Sequence, residues 1–196
     1  MSGRKKFDEI NVLDAAMKEF WCKGYEATSL SDLETATGLN KSSIYNTFKS
    51  KEVLFSLCLE RFIAKYGEKP IAKLAHPDFK TAITGFFDQL FKAYDNPNLP
   101  KGCLATMAII EMSGADNRAS NLVIEGMERM RTRFEQRCTQ AVNDRQLSAN
   151  SDCAALAAMI LSMTRGIAVL NRGYGDMNIA RQAIKGMLYG ILPPTS

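Results

Sequence analysis

The chain has 196 residues, enough for one full domain, or for a small domain and a larger one, with a core that needs neither disulfides nor metal. Apolar residues make up 46% and charged residues 23%, which excludes an intrinsically disordered chain. The net charge of +4 permits a nucleic-acid partner without requiring one.

The sequence has few features that favour secretion, a membrane span or disulfide bonds. The N-terminal MSGRKKFDE has no apolar run, so we expect no secretory signal. The longest uncharged apolar stretch, residues 153–164, is far shorter than the roughly 20 residues of a membrane span. Five scattered cysteines and a single histidine favour free thiols in a reducing cytoplasm. We therefore expect a cytoplasmic protein with no membrane partner, no cofactor and no metal site.

Apolar residues recur at spacings of three and four, which predicts helices throughout. The first helix begins around Phe7 and ends at Gly24. Asp78, Asp116 and Ser151 are predicted to cap later helices. About nine helices and no strand follow, an all-α fold with an N-terminal helix-turn-helix domain at 1–51 and a larger helical domain at 52–196.

Residues 28–51, TSLSDLETATGLNKSSIYNTFKSK, have the pattern of a helix-turn-helix. Thr28 or Ser29 can cap a short helix, Gly38 supplies the turn, and a second short helix begins near Asn40 or Lys41. The small shared core is predicted to consist of Leu30, Leu33, Leu39, Ile44 and Phe48. The second helix opens with polar side chains, as do helices that meet base edges in the major groove.

Residues 7–55 resemble the TetR family of ligand-responsive transcriptional repressors. The resemblance depends on Phe20-x-x-Lys23-Gly24-Tyr25, Thr28-Ser29, Gly38, Ile44-Tyr45-x-x-Phe48 and Lys49-Ser50-Lys51-Glu52. It implies that Thr28, Tyr45 and Lys51 hold the DNA backbone. It also implies groove or phosphate contacts from Asn40, Lys41, Ser42 and Asn46. Ser43 completes the predicted DNA-binding residues, because it belongs to the polar start of the second helix.

Three positions depart from the family pattern. Glu34 stands where a small alanine is usual, Ser42 where glycine is frequent, and Asn46-Thr47 where a histidine and an aromatic residue are common. The last two departures imply a different operator sequence. Tyr45 could instead be a core tyrosine. A basic arm, Arg4, Lys5 and Lys6, could reach DNA or remain a solvated terminus.

The larger domain is rich in Met and Phe, residues that build cores and also line pockets for irregular ligands. The resemblance implies a small-molecule effector site among its central helices. Candidate lining residues are Phe62, Tyr66, Phe87, Tyr94, Cys103, Met107, Glu111, Met127 and Met163, with Arg165 as a further polar group.

Two of these candidates have alternatives. Glu111 would favour a cationic ligand if it pointed inward; the alternative is a solvated or arginine-paired carboxylate. Cys103 follows Lys-Gly at a predicted helix start, where a thiol becomes more reactive. Its Gly-Cys-Leu triplet is similar to that of electrophile-sensing family members, and a packed cysteine is the alternative.

The last two helices are predicted to form a homodimer interface. The predicted interface residues are Leu156, Ile160, Met163, Ile167, Ala183, Met187, Leu188 and Ile191. The alternative is that this apolar face is buried within its own subunit. A palindromic DNA site favours the dimer, because it needs two recognition helices.

The combined pattern indicates a transcriptional repressor. Its expected partners are a double-stranded, palindromic operator, a small-molecule effector and a second copy of the chain. The competing functions are an enzyme and a helical binding module without a DNA partner. No P-loop, G-x-S-x-G, H-E-x-x-H or complete dinucleotide fingerprint occurs in the sequence, which disfavours an enzyme.

Overall fold

The computed structural model describes residues 8–112 and 118–192, and these residues are helical with no β-strand. The α-helices are α1 Glu9–Lys23, α2 Leu30–Thr37, α3 Lys41–Phe48, α4 Lys51–Phe62, α5 Glu68–Ala72, α6 Phe79–Tyr94, α7 Leu104–Glu111, α8 Arg118–Asn143, α9 Cys153–Gly173 and α10 Asn178–Ile191.

The helix α4 continues without a break through a π-helical turn at Ile63–Gly67 into α5 and a 3-10 turn at Lys73–Ala75. Counted as one rod, these segments give nine helices in the described ranges, so the predicted all-α class is confirmed. Phe7, the basic arm and the proposed cap Asp116 lie outside the described residues.

Short polar side chains begin most of these helices by accepting bonds from otherwise unpaired backbone N–H groups. Asp78 accepts from Thr81 N at 2.7 Å, as predicted for the start of α6. Of the two candidates for α2, Ser29 is the cap, and it forms a reciprocal capping box with Asp32. At α9 the predicted cap Ser151 is wrong by one residue, because Asp152 accepts from Ala155 N.

Two apolar cores lie along the molecule. The first joins α1–α4 to α7 and the start of α8, through side chains such as Phe20, Phe48 and Leu104. The second joins α6, the C-terminal half of α8, α9 and α10. The N-terminal helices are therefore packed directly on helices of the larger domain, and the boundary at residue 51 stays a prediction.

Helix α9 is apolar on both faces. By length and composition alone it is the one helix in the described ranges that could cross a membrane, with a mean hydropathy of 1.9 and one third of that window buried. This is weak evidence, because core helices of soluble proteins pass the same test. Its large side chains face the second core, where Ile160 and Ile167 are buried.

The prediction that Ile160, Ile167, Met187 and Leu188 form a subunit interface is therefore wrong, because all four are buried inside their own chain. Leu156, Met163 and Ile191 are half-buried against the same core. Ala183 is exposed. The heptad-like stripe read from the sequence is the inward face of α9.

Candidate functional site

A compact helix-turn-helix lies at the N-terminal end of the molecule. Gly38 ends α2 with φ of +70°, in the left-handed region that favours glycine. All five predicted core residues contribute: Leu33, Ile44 and Phe48 are buried, and Leu30 and Leu39 pack against them. This core fixes α3 on α2 with one side of α3 facing outward.

The outward side of α3 is polar. Lys41, Ser42, Tyr45 and Asn46 are exposed, and residues 41–48 include no carboxylate. Tyr45 is 38% exposed, so it is not a core tyrosine. Asn40 caps the helix, since its Oδ1 accepts from Ser43 N and Ser42 Oγ, both at 2.9 Å. The face has the donors and acceptors that recognition helices use.

Thr28 and Lys51, two residues predicted to contact phosphates, differ in their exposure to solvent. Thr28 is completely buried, and its hydroxyl donates to the Gly24 carbonyl at 2.5 Å. The predicted phosphate contact of this side chain is therefore wrong for this conformation. Lys51 stays partly exposed at the start of α4, with its Nζ 4.5 Å from the centre of the Tyr25 ring.

The unusual Glu34 links the two helices of the motif. Its Oε1 accepts from Lys41 N at 2.5 Å, so it occupies one of the free amides at the start of α3. A carboxylate in place of a small residue therefore bridges α2 and α3. Sequence spacing alone did not reveal this, because the bond spans the turn and ends on a backbone atom.

A cavity of about 280 Å³ lies between the helices of the larger domain. Of the predicted ligand-binding residues, Phe62, Tyr66, Tyr94, Cys103 and Met127 line it. Phe87, Met107 and Met163 do not, because they pack into the two cores. Arg165 also lines it.

Trp21 is one of the lining residues that the sequence analysis missed. It belongs to α1 and packs edge-on against Phe62 and Tyr66, with ring centres 4.9 and 5.3 Å apart. Nothing in its local pattern distinguishes it from an ordinary core residue of α1. The cavity therefore reaches the first helix of the DNA-binding domain.

Glu111 does not line the cavity, so its assignment to a ligand site is wrong. Its Oε2 accepts from the backbone N–H groups of Tyr25 at 2.6 Å and Glu26 at 3.1 Å. These amides belong to the turn between α1 and α2. Gly24 in that turn has φ of +89°, and a Cβ there would lie 2.1 Å from Glu111 Oε1. The carboxylate thus fits against bare glycine backbone.

A second connection lies at the end of α1. Arg172 of α9 donates to the carbonyls of Trp21 at 3.1 Å and Cys22 at 2.7 Å, where a cation complements the helix C-terminus. The Trp21 indole donates to the Gly102 carbonyl at 3.2 Å. We call these bonds and those of Glu111 the interdomain clamp.

The chemistry of these residues is that of binding. Within residues 8–112 and 118–192, no group of three or more His, Cys, Asp and Glu side chains is arranged to hold a metal ion. The exposed α3 face suits DNA, and the cavity suits a small apolar ligand.

Sequence and structure comparisons agree on one family. The family "Bacterial regulatory proteins, tetR family" matches residues 12–58, and "Tetracyclin repressor-like, C-terminal domain" matches residues 80–187. The HTH-type transcriptional repressor ComR of Escherichia coli (strain K12) is 29% identical over 173 residues, 87% of this chain and 82% of ComR. The uncharacterized HTH-type regulator YezE of Bacillus subtilis (strain 168) is 25% identical over 180 residues, 91% of this chain and 93% of YezE.

Solved structures share the fold. A cysteine mutant of the TetR family regulator CifR, complexed with 26-bp double-strand operator DNA, has a TM-score of 0.87 at 22% identity, covering 97% of this chain and 99% of CifR. The reduced form of NemR from E. coli has a TM-score of 0.81 at 17% identity, covering 95% and 98%.

Proposed function

The chain belongs to the TetR family of bacterial regulatory proteins, and from this premise we propose that it is a repressor that binds a palindromic operator as a homodimer and responds to a small-molecule effector. It is a transcriptional regulator and not an enzyme. Operator binding places its action in the cytoplasm.

The observation that carries the DNA-binding proposal is the outward face of α3. Lys41, Tyr45 and Asn46 stand exposed on a helix whose opposite side, Ile44 and Phe48, is buried. Buried residues fix the helix axis, and exposed donors without a neighbouring carboxylate on the same helix can meet base edges and phosphates. The CifR complex with operator DNA supports this use of the fold.

The test is a mobility shift with DNA from the promoter next to the protein's own gene. We expect Lys41→Ala combined with Tyr45→Phe to weaken binding strongly. Lys80→Ala, which removes an exposed lysine of α6, is the matched control and should bind like the wild type. Equal operator affinity of the double variant and the wild type would refute the assignment.

The homodimer proposal depends on the outward face of α9. Its exposed residues up to position 169 are small or β-branched and uncharged: Ala154, Ala155, Ala158, Ser162, Gly166 and Val169. The exposed Arg172 follows at the C-terminal end of the helix. On α10 the exposed face adds Ile179, Ala183, Gly186, Tyr189 and Gly190, with exposed Gln182 and Lys185 beside them. Small residues allow close approach of helices, and a surface with so few charges is typical of an interface. A two-fold dimer also supplies two α3 helices for half-sites roughly 34–36 Å apart.

Sedimentation tests this interface. Ser162→Glu with Gly186→Glu places charges on the exposed face, and a Cβ at Gly186 meets no atom within 4 Å, so each subunit should still fold. We expect a helical monomer with lost operator binding. Gln136→Glu on the exposed side of α8 is the control. A wild-type protein that is monomeric at micromolar concentration, with and without operator, would contradict the dimer.

The cavity and the interdomain clamp support effector control. Cys103, which lines the cavity, directly precedes helix α7, and the helix ends at Glu111, which accepts hydrogen bonds from the α1–α2 turn. A ligand that displaces Cys103 or Trp21 therefore acts on the DNA-binding helices through α7 and α1. Helix α4, which connects the DNA-binding helices to the larger domain along the chain, is a further route.

Effector control requires that the ligand bind the two conformations with different affinity, and linkage makes the effect reciprocal. A thermal-shift screen identifies a ligand, and its affinity is then measured with and without saturating operator. We expect operator to weaken ligand binding by the factor by which ligand weakens operator binding. An unchanged ligand affinity would overturn this part of the proposal.

A further inference from the structure

The cavity holds a cation that its surroundings do not neutralise. Arg165 of α9 directs its guanidinium at weak acceptors only: Nη1 lies 3.3 Å from Thr106 Oγ1 and 3.9 Å from Cys103 Sγ, and Nη2 lies 3.5 Å from Met130 Sδ. Its Nε is buried without a partner. Of the five N–H donors of a guanidinium, those of Arg165 therefore meet one hydroxyl, two weak sulfur acceptors and, at Nε, no acceptor.

Buried charges are normally paired, because removing a charge from water is costly. In the described part of the chain, Arg165 forms no ion pair. The described residues that line the cavity also include no aspartate or glutamate, whereas Lys69 and Lys92 stand exposed among them. The site is thus a positively charged recess with lysines that can attract an anion from solvent.

The rest of the lining is mostly aromatic and aliphatic. Trp21, Phe62 and Tyr66 form one packed aromatic group, and Phe86, Val123 and Met127 add further apolar surface. Burial raises the pKa of Tyr94, so its phenol keeps its proton and can donate a hydrogen bond. A volume of about 280 Å³ is at the small end of ligand sites.

We infer that the cavity binds a small aromatic carboxylate, with its anionic group on Arg165 and its ring against Trp21, Phe62 and Tyr66. A carboxylate accepts two parallel N–H bonds from a guanidinium, which supplies the partner that Arg165 lacks. This ligand is opposite in charge to the cation that an inward-pointing Glu111 would favour. The ligand's role as effector depends on the proposed function, but its binding does not.

The experiment uses three probes of matched shape: phenylacetate, phenylacetamide and phenethylamine. Trp21 is the only tryptophan of the sequence and lines the cavity, so its fluorescence reports binding to the free protein, with calorimetry as a second measurement. We expect phenylacetate to bind roughly ten- to a hundredfold more tightly than the neutral amide, the range of a hydrogen bond to a charged group, and the amine to bind least.

Variants test whether Arg165 causes the preference for phenylacetate over the amide. Arg165→Met should abolish it, whereas Arg165→Lys should keep the order of the probes with reduced selectivity. Arg133→Gln removes an exposed arginine of α8 and should change nothing. An amide that binds as well as the acid, a preference that survives in Arg165→Met, or no phenylacetate binding at millimolar concentration would each overturn the inference. None of these outcomes bears on operator binding, which the mobility shift tests separately.

Discussion

Removing the carboxylate of Glu111 should weaken the contact between the DNA-binding helices and the larger domain, and so lower the stability of the protein. The side chain accepts two backbone hydrogen bonds from the α1–α2 turn. Bonds to a charged group contribute about 1.5–3 kcal/mol each, and exposure of the Glu26 amide reduces the sum. We expect Glu111→Ala to lower the free energy of unfolding by about 2–3 kcal/mol. That corresponds to a fall in Tm of roughly 4–12 °C for a chain of this size.

Combining Glu111→Ala with Gly24→Ala gives a double-mutant cycle that tests the contact between these two residues. The new methyl would collide with Glu111 and would also strain the positive φ of residue 24, a strain of about 1–3 kcal/mol. In the Glu111→Ala background only the backbone strain remains. Chemical denaturation should therefore show Gly24→Ala costing less in that background than in the wild type. Additive effects would refute the contact, and Glu125→Ala, an exposed glutamate of α8, serves as the surface control.

Other expectations concern DNA, pH and thiols. Lys41→Ala should weaken operator binding by about 1–3 kcal/mol and relax sequence choice. Lys51→Ala should weaken binding to all DNA alike and flatten its salt dependence; identical behaviour of the two variants would contradict this. Hydrogen bonds from the Arg61 guanidinium, 2.6 Å away, lower the pKa of Asp14. The stability that this pair adds, about 1 kcal/mol, is therefore present above the unfolded pKa near 4. It is lost as pH falls through the lower folded pKa, so Asp14→Asn should destabilise the protein at pH 7 and not at the acid end of a denaturation series. Burial raises the pKa of Cys138 to about 12, so alkylation of the native protein should modify exposed Cys22 and spare Cys138 until unfolding.

Local signals in the sequence predicted the DNA-binding motif well. The spacing of Leu33, Ile44 and Phe48, with Gly38 between the helices, specifies a small core and a turn, and all four take those places. Such features depend on residues close in sequence. The assignment of DNA contacts to individual side chains stays a prediction, except that buried Thr28 is excluded in this conformation.

The residues that were misplaced depend on distant partners. Glu111 meets backbone amides about 86 positions away, and backbone amides leave no trace in the sequence. Ile160 lies on an apolar stripe that would suit either a partner subunit or its own core. Only packing against α8 shows that the large side chains turn inward and that Ala158 and Gly166 remain outside. Trp21 lies in the N-terminal domain of the sequence, so its position gave no reason to expect it in a cavity of the larger domain.

In the proposed homodimer, the exposed outer face of α9 makes the lifetime of the protein depend on its concentration in the cell. In an unpaired chain only one third of the most apolar 18-residue window of α9 is buried, and its exposed side is a surface that chaperones and proteases recognise. In the proposed homodimer, pairing covers this surface, and mass action makes the covered fraction rise with the number of copies in the cell. On that proposal, a cell with few copies would lose operator occupancy for two reasons, because fewer chains pair and the unpaired chains are removed sooner.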